Sequence, residues 1–478
     1  MKPQILRGLI ESALPEAAHA EANLALGHLY LPAGHAKAIS LDRPLVVGDR
    51  GAGKSFWLKS LADSHRRALI GTLFDFPTLL DCEVVTGFDP TTTGNYPDSR
   101  ELSSLVSHGV LPVDVWYAVM VCASLPEVIP ATASDWLSRV TWVQNHASAV
   151  SSDLKKKNAA LATQGKRRLI AFDGLDRVAN NWRQTVNLVR GLLQAQLEFR
   201  KYTHICTKAF IRPDMLADNE VRRFPDASKL VSLAVKLEWE PIDLYGLLWQ
   251  YLANSPDSAG SDAFRAFSAQ RASFDWQSGD DGIFVLTDAT RNSENSQEAL
   301  FHLIAGKTMG RGAKSGNPWK WLPSHLSDAN GYTSPRSFLV AVRSAAVDSK
   351  RRSFVGTELA LHPSSVKEGV SKASEVRRNE LEEDLPWITD ILGPLKGLAL
   401  PSRRQDVVAR WRNKGTLEKL LSEQVLLPDT IVENDPGSIL QALQKMGLCR
   451  VLSDGRVDFP DIVRVDAGMT RKGGIPVR

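Results

Sequence analysis

The stretch Gly48-Asp49-Arg50-Gly51-Ala52-Gly53-Lys54-Ser55 constrains the fold of this chain more than any other. It matches G-x-x-x-x-G-K-[ST] at every fixed position. Pro44-Leu45-Val46-Val47 precedes it, a short apolar run that reads as a buried parallel strand. Phe56-Trp57-Leu58-Lys59-Ser60-Leu61-Ala62 follows, a helical pattern with Leu58, Leu61 and Ala62 on one face. Strand, glycine loop and helix is the order a phosphate-binding loop needs. Gly51 and Gly53 let the backbone curl until successive N–H groups point at phosphate oxygens. The helix N-terminus adds its partial positive charge. In this pattern Lys54 reaches the β- and γ-phosphates and the Ser55 hydroxyl holds Mg²⁺. The expected fold class is α/β, a parallel sheet flanked by helices.

A second signal lies downstream. In Arg167-Arg168-Leu169-Ile170-Ala171-Phe172-Asp173-Gly174-Leu175-Asp176-Arg177, apolar residues form a central strand and acids follow at its C-terminal edge. Ligands of parallel α/β sheets sit at that edge. Asp173 fits the acid that orients Mg²⁺, and Asp176 is the next acid available to position or activate a water. A third strand is expected over His204–Ile211, ending in Arg212-Pro213-Asp214. Arg212 or Thr207 could sense the γ-phosphate there through a charge-assisted contact. Arg222 and Arg223 precede a further expected strand, Ser228–Leu237, where an arginine finger can project into a neighbouring subunit. The opposing reading is a basic helix end matching the dipole. In Thr333-Ser334-Pro335-Arg336, Pro335 suits a first helical turn with Ser334 as cap, and Arg336 could face bound nucleotide.

Composition narrows the classes. The 478 residues suggest about two to four domains. With 58 basic against 54 acidic residues, the net charge of +4 is too balanced to indicate nucleic acid by itself. Cys82, Cys122, Cys206 and Cys449 show no C-x-x-C or His/Cys metal spacing and read as small buried hydrophobes in a reducing compartment. The N-terminus lacks a signal-peptide core, and no apolar run reaches the roughly 18 residues of a membrane span. A cytoplasmic protein with no membrane partner is expected.

The rest of the chain reads as an organisation around the loop. Residues 1–43 form an N-terminal helical segment, rich in Ala, Glu and Leu over Ala13–Leu26. Residues 44–239 are the core, 240–350 a helical lid, and 351–478 a helical and winged-helix-like C-terminal region. Helices are expected over Leu111–Val119, 133–147 (capped by Thr132 or Ser134), 184–200 and Asp243–Leu252. Loops are expected over 89–97, 254–262 and 310–317, and charged helix over 365–424. Ser438–Leu448 is an amphipathic helix, and Cys449–Phe459 a hairpin with an Asp454-Gly455 turn. Helix then hairpin suggests a winged helix. Its helix carries one lysine, Lys445, whereas Arg450, Arg456, Arg464, Arg471, Lys472 and Arg478 make the wing and tail basic. Protein docking is the favoured reading of this end over DNA.

With these residues together, the chain resembles the AAA+-like and STAND branch of P-loop ATPases over about residues 40–350. The shared marks are Gly48–Ser55, the Asp173-Gly174-Leu175-Asp176 form of the second motif, the strand ending in Ile211-Arg212-Pro213, and Ser334-Pro335-Arg336, which looks like the sensor-2 arginine. Arg177 departs from the family, whose members usually carry an acid there, and leaves Asp176 alone as base. The resemblance implies ATP and Mg²⁺ as ligands, with Gly48, Asp49, Arg50, Gly51, Ala52, Gly53, Lys54, Ser55, Phe56 and Arg336 binding nucleotide. It implies catalytic roles for Asp173, Asp176, Arg212 and Arg223, and metal binding by Ser55 and Asp173. It further implies a bacterial regulatory or defence ATPase that self-associates or acts with an effector protein. An ATP-gated scaffold with little hydrolysis and a DNA-dependent ATPase are the alternatives.

Overall fold

The computed structural model describes residues 1–16, 25–179, 181–279, 282–310, 315–352, 354, 358–422 and 431–477. Most of the Ala13–Leu26 stretch, the middle of the 310–317 loop, the end of the 365–424 helical stretch and Arg478 lie outside these residues. The chain divides into two compact units, Leu31–Glu238 and Met1–Tyr30 with Trp239–Arg478.

The first unit is built on a five-stranded sheet: β1 (Leu45–Val47), β2 (Cys82–Phe88), β3 (Arg167–Phe172), β4 (Ile205–Ile211) and β5 (Val235–Lys236), in the order β2-β3-β4-β1-β5. Every pairing is parallel. The apolar runs of β1, β3 and β4 are almost wholly buried, as strands covered on both faces must be. Helices Lys54–Ala62 and Ser64–Leu73 follow β1, four helices between Ser99 and Thr163 join β2 to β3, and Trp182–Phe199 joins β3 to β4. Pro112–Ser124 carries apolar residues nearly all round, so it is buried along most of its length, and the Trp116 indole N–H donates to Leu188 O at 2.8 Å. This is the expected α/β class, with the sheet flanked by helices. Parallel strands put all carboxyl ends at one edge, where Gly48, Asp89, Asp173 and Arg212 succeed β1 to β4.

Inside this sheet Lys208, on β4, is fully buried, and its ammonium donates to Ala38 O, Ser40 O and Arg43 O at 2.7, 2.9 and 2.7 Å. Burial pulls its pKa down to about 7. The three carbonyls belong to the segment that leads into β1, so the lysine ties that segment to the sheet centre.

The second unit is helical and aromatic. Tyr245 stacks on Trp319 with centroids 3.8 Å apart and meets Phe301 and Phe338 edge-on. The helix Pro3–Ala13 packs on Pro335–Arg352, and Arg7 donates to Ala360 O and Leu359 O at 2.8 and 2.7 Å. Towards the C-terminus, helices Arg404–Asn413, Thr416–Ser422 and Ser438–Lys445 lead to an antiparallel hairpin, Arg450–Val451 with Arg456–Asp458, joined by Ser402–Arg403.

Several local expectations change. The strand expected over Ser228–Leu237 forms only at Val235–Lys236, because Ala227–Val231 turns helical to bury Leu230. The expected loop 254–262 already contains the first turn of helix Ser258–Ala272, capped by Asp257 through Gly260 N–H. The 365–424 stretch is interrupted by strand pieces at Ala399–Leu400 and Ser402–Arg403. Asp135, through Ser138 N–H, caps the helix Trp136–Asn145 in place of Thr132 or Ser134. The Ser334 hydroxyl is buried and caps nothing among the described residues.

Candidate phosphate and metal site

The loop after β1 curls as its glycines permit: Gly51 and Gly53 take φ of 78° and 102°, and Gly53 leads directly into helix Lys54–Ala62. The Lys54 ammonium donates to Gly48 O and Asp49 O at 2.7 and 2.9 Å, which draws the loop around the lysine. Burial lowers the proton affinity of Lys54, against the pull of Asp173 and Asp176. The Ser55 hydroxyl donates to Asp173 Oδ2 at 2.5 Å. Two motifs read separately in the sequence thus meet at one point, 118 residues apart. Burial pushes the Asp173 carboxyl up, opposed by the Ser55 hydrogen bond and the Lys54 charge.

Gly174 holds this turn in shape. Its φ is 64°, and a Cβ there would lie 2.4 Å from Pro90 Cδ. Only glycine admits both the left-handed backbone and the close approach. Asp176, in the turn Leu175–Arg177, lies 3.9 Å from Arg212 Nη1, while Arg212 also holds Asp214 through Nε and Nη2 at 3.0 Å each. Arg212 follows β4 at the carboxyl edge. Thr207 pairs in register with Ile170, about 10 Å below Asp173 along the strands. The register therefore leaves Arg212, just past β4, as the residue that meets the acids.

The remaining candidates have partners of their own. Phe56 meets Trp57 edge-on at 5.3 Å. Arg223 is exposed and pairs with Glu220 at 3.0 Å, and Arg222 donates to Ala217 O and Asn219 Oδ1 at 2.9 Å each. Arg336 belongs to the second unit and pairs there with buried Glu380 at 2.8 Å, which Arg377 also contacts.

Two residues near the loop were not singled out by sequence. His35 is wholly buried: its Nδ1 accepts from the Trp57 indole N–H at 3.1 Å, so Nε2 carries the proton and donates to Glu238 O at 3.1 Å. Burial lowers its pKa to about 4, so it stays neutral. It ties the loop helix to the chain leaving β5. Asp89, directly after β2, is 5% exposed and adds its charge to the field on Asp173. Its signal was available: it is the acid that ends an apolar strand.

A Ser hydroxyl and an Asp carboxylate at the edge of a phosphate loop suit Mg²⁺, which takes one or two protein oxygens and fills its octahedron with phosphate and water. Among the described residues no group of three or more His, Cys, Asp or Glu forms a metal cage of its own. No described helix is long and apolar enough to cross a membrane.

The basic C-terminus differs from expectation. Arg450 pairs with Asp458 at 3.0 Å, Arg456 with Asp454 at 2.7 Å, Arg464 with Asp461, and Arg471 with Asp458 and Asp461. These arginines are committed to Asp454, Asp458 and Asp461 of the same hairpin and tail, so little of their charge is left over. The helix Ser438–Lys445 buries Ser438, Ile439, Leu440, Ala442 and Leu443, leaving little face for phosphate contacts.

No protein-family model and no curated protein matches the sequence. Solved structures similar to the chain include the Aeropyrum pernix ORC2 protein in ADPNP–ADP complexes, at 13% identity, covering 88% of this chain and 84% of that one, with a TM-score of 0.38. Its ADP form gives 13% identity, 90% and 91% coverage and 0.32. Cdc6p of Pyrobaculum aerophilum gives 11% identity, 88% and 83% coverage and 0.30. Likeness at this level carries no argument about fold or function, and the site rests on its own geometry.

Proposed function

We propose that this chain is an AAA+/STAND-like ATPase that binds Mg-ATP, hydrolyses it and couples the cycle to a change of conformation or assembly with a partner. The observation that carries this reading is the 2.5 Å bond between Ser55 and Asp173. It joins the phosphate loop to the acid of β3, which is what a magnesium-nucleotide site requires. The loop N–H groups from Gly48 to Phe56 cradle the phosphates, and Lys54 exchanges its loop carbonyls for phosphate oxygens. Bound between Ser55, Asp173 and the nucleotide, Mg²⁺ would neutralise charge on the β- and γ-phosphates. Asp176 takes a proton from water as its oxygen attacks the γ-phosphorus and ADP leaves. Arg212, poised beside Asp176, registers the γ-phosphate. Arg336 and Arg223 are assigned as sensing and trans-acting arginines on sequence pattern alone.

Lys54→Ala tests the reading. It should abolish ATP binding, measured by titration of a fluorescent ATP analogue, and with it phosphate release; unchanged turnover would sink the proposal.

A second reading, an ATP-gated scaffold with slow turnover, draws support from Arg177 and from the Arg212 contact to Asp176, which ties up the base. Steady-state turnover separates the two. The paired arginines of the C-terminal hairpin favour a protein partner over DNA for a winged-helix-like end, in a regulatory or defence role.

A further inference from the structure

Asp89 stands beside the pair that would hold the metal. The parallel register of β2 on β3 shifts at Gly87, which brings Phe88 opposite Phe172, and Asp173 N–H donates to Phe88 O at 2.9 Å. The next residue on each strand is an aspartate, and neighbouring strands lie about 4.8 Å apart. Both side chains are buried, 5% exposed at Asp89 and 4% at Asp173. Asp89 Oδ1 accepts from Thr91 N–H at 2.8 Å and from the Thr91 hydroxyl at 2.7 Å, while its carbonyl accepts from Tyr96 Oη at 3.1 Å. Among the described residues no cation pairs with Asp89. Asp176, by contrast, has Arg212.

Two adjacent buried carboxylates are costly unless a positive charge is close. Lys54 is a single charge that also turns to the loop carbonyls. A divalent ion at Ser55 and Asp173 would relieve both acids. We propose that Asp89 is a positioning residue for Mg²⁺: it does not ligate the ion, but its charge draws the cation to the Ser55–Asp173 pair. This rests on the magnesium-nucleotide reading of the site.

The test uses the full chain, with Mn²⁺ as a probe visible by electron paramagnetic resonance, titrated in the presence of ADP. Asp89→Asn keeps the shape and the Oδ1 acceptor and removes only the charge. It should weaken Mn²⁺ by about tenfold while ADP affinity in excess EDTA is unchanged. Thr91→Ala breaks the same turn but keeps the charge, and should leave Mn²⁺ affinity within about twofold of the parent. Equal Mn²⁺ affinity in Asp89→Asn and the parent would overturn the inference. So would an equal loss in Thr91→Ala, or loss of the fold in Asp89→Asn, since either makes Asp89 a strut of its loop. If the parent itself shows no metal-dependent ADP binding, the magnesium-nucleotide reading fails with it; parent binding unaffected by Asp89→Asn removes only the role of Asp89.

Discussion

Asp173-Gly174 and Asp454-Gly455 are the same dipeptide, each with its glycine in a left-handed turn, and they do different work. The glycines have φ of 64° and 81°. Asp173 is buried and meets a hydroxyl from a motif far away in sequence. Asp454 is exposed and accepts from Arg456, two residues on, through both N–H and guanidinium. That local bond holds the Asp454 carboxyl below the usual range, whereas burial pushes the Asp173 carboxyl up. A turn residue becomes a chemical group when strands from elsewhere enclose it. The same residue left in solvent is a strap. The first turn should therefore answer to activity and the second to stability.

The largest effect expected of this contrast lies beneath the hairpin. Arg464 is fully buried and bonds Asp461, Met469 O and Ile475 O, the last two at 3.2 Å. Arg464→Met leaves Asp461 with a smaller share of its partners and should cost about 3–5 kcal/mol in chemical denaturation, with ATP turnover per folded molecule unchanged. Arg456→Ala, at the exposed turn, should leave the denaturation midpoint where it was. Equal behaviour of the two would mean that the tail is not held by its buried network.

Next, Asp173→Asn should lower turnover by about 100-fold, near 3 kcal/mol in the barrier, with an unaltered denaturation midpoint. Asp454→Asn should turn over like the parent. A hydrolysis-competent Asp173→Asn chain would erase the distinction between the turns.

The finest comparison is between the glycines. Gly174→Ala meets both the positive φ and Pro90 and should cost about 2 kcal/mol. Gly455→Ala has no atom within 4 Å of the added methyl, so backbone strain alone remains, about 1 kcal/mol. Identical costs in paired melts would show that Pro90 yields freely.

The strands around the loop were legible because each is a short apolar run bounded by polar turns, a signal contained in one window. Ser228–Leu237 was misread for the same reason: its apolar alternation fits a strand, but a turn of helix buries Leu230 and spares only Val235 and Lys236 for pairing. At the site, Lys54, Ser55, Asp173 and Asp176 stood out by motif. His35 did not, since a lone histidine in an Ala-rich stretch gives no hint that an indole and a distant carbonyl will close on it. The pairing of the basic hairpin and tail was not legible, because a list of arginines along the chain does not say that Asp458 and Asp461 fold back onto them.

By itself the sequence determined the glycine loop, the strand before it, the helix after it and the acid-ended strand that follows, because glycine φ freedom and apolar periodicity act over a few residues. Tertiary structure alone decided which of those pieces touch. The order β2-β3-β4-β1-β5 carries Asp173 to Ser55, the register of β2 on β3 sets Asp89 beside Asp173, and β4 delivers Arg212 to Asp176. Such contacts depend on strand order and register, which are settled by packing a whole sheet rather than by any one stretch of chain.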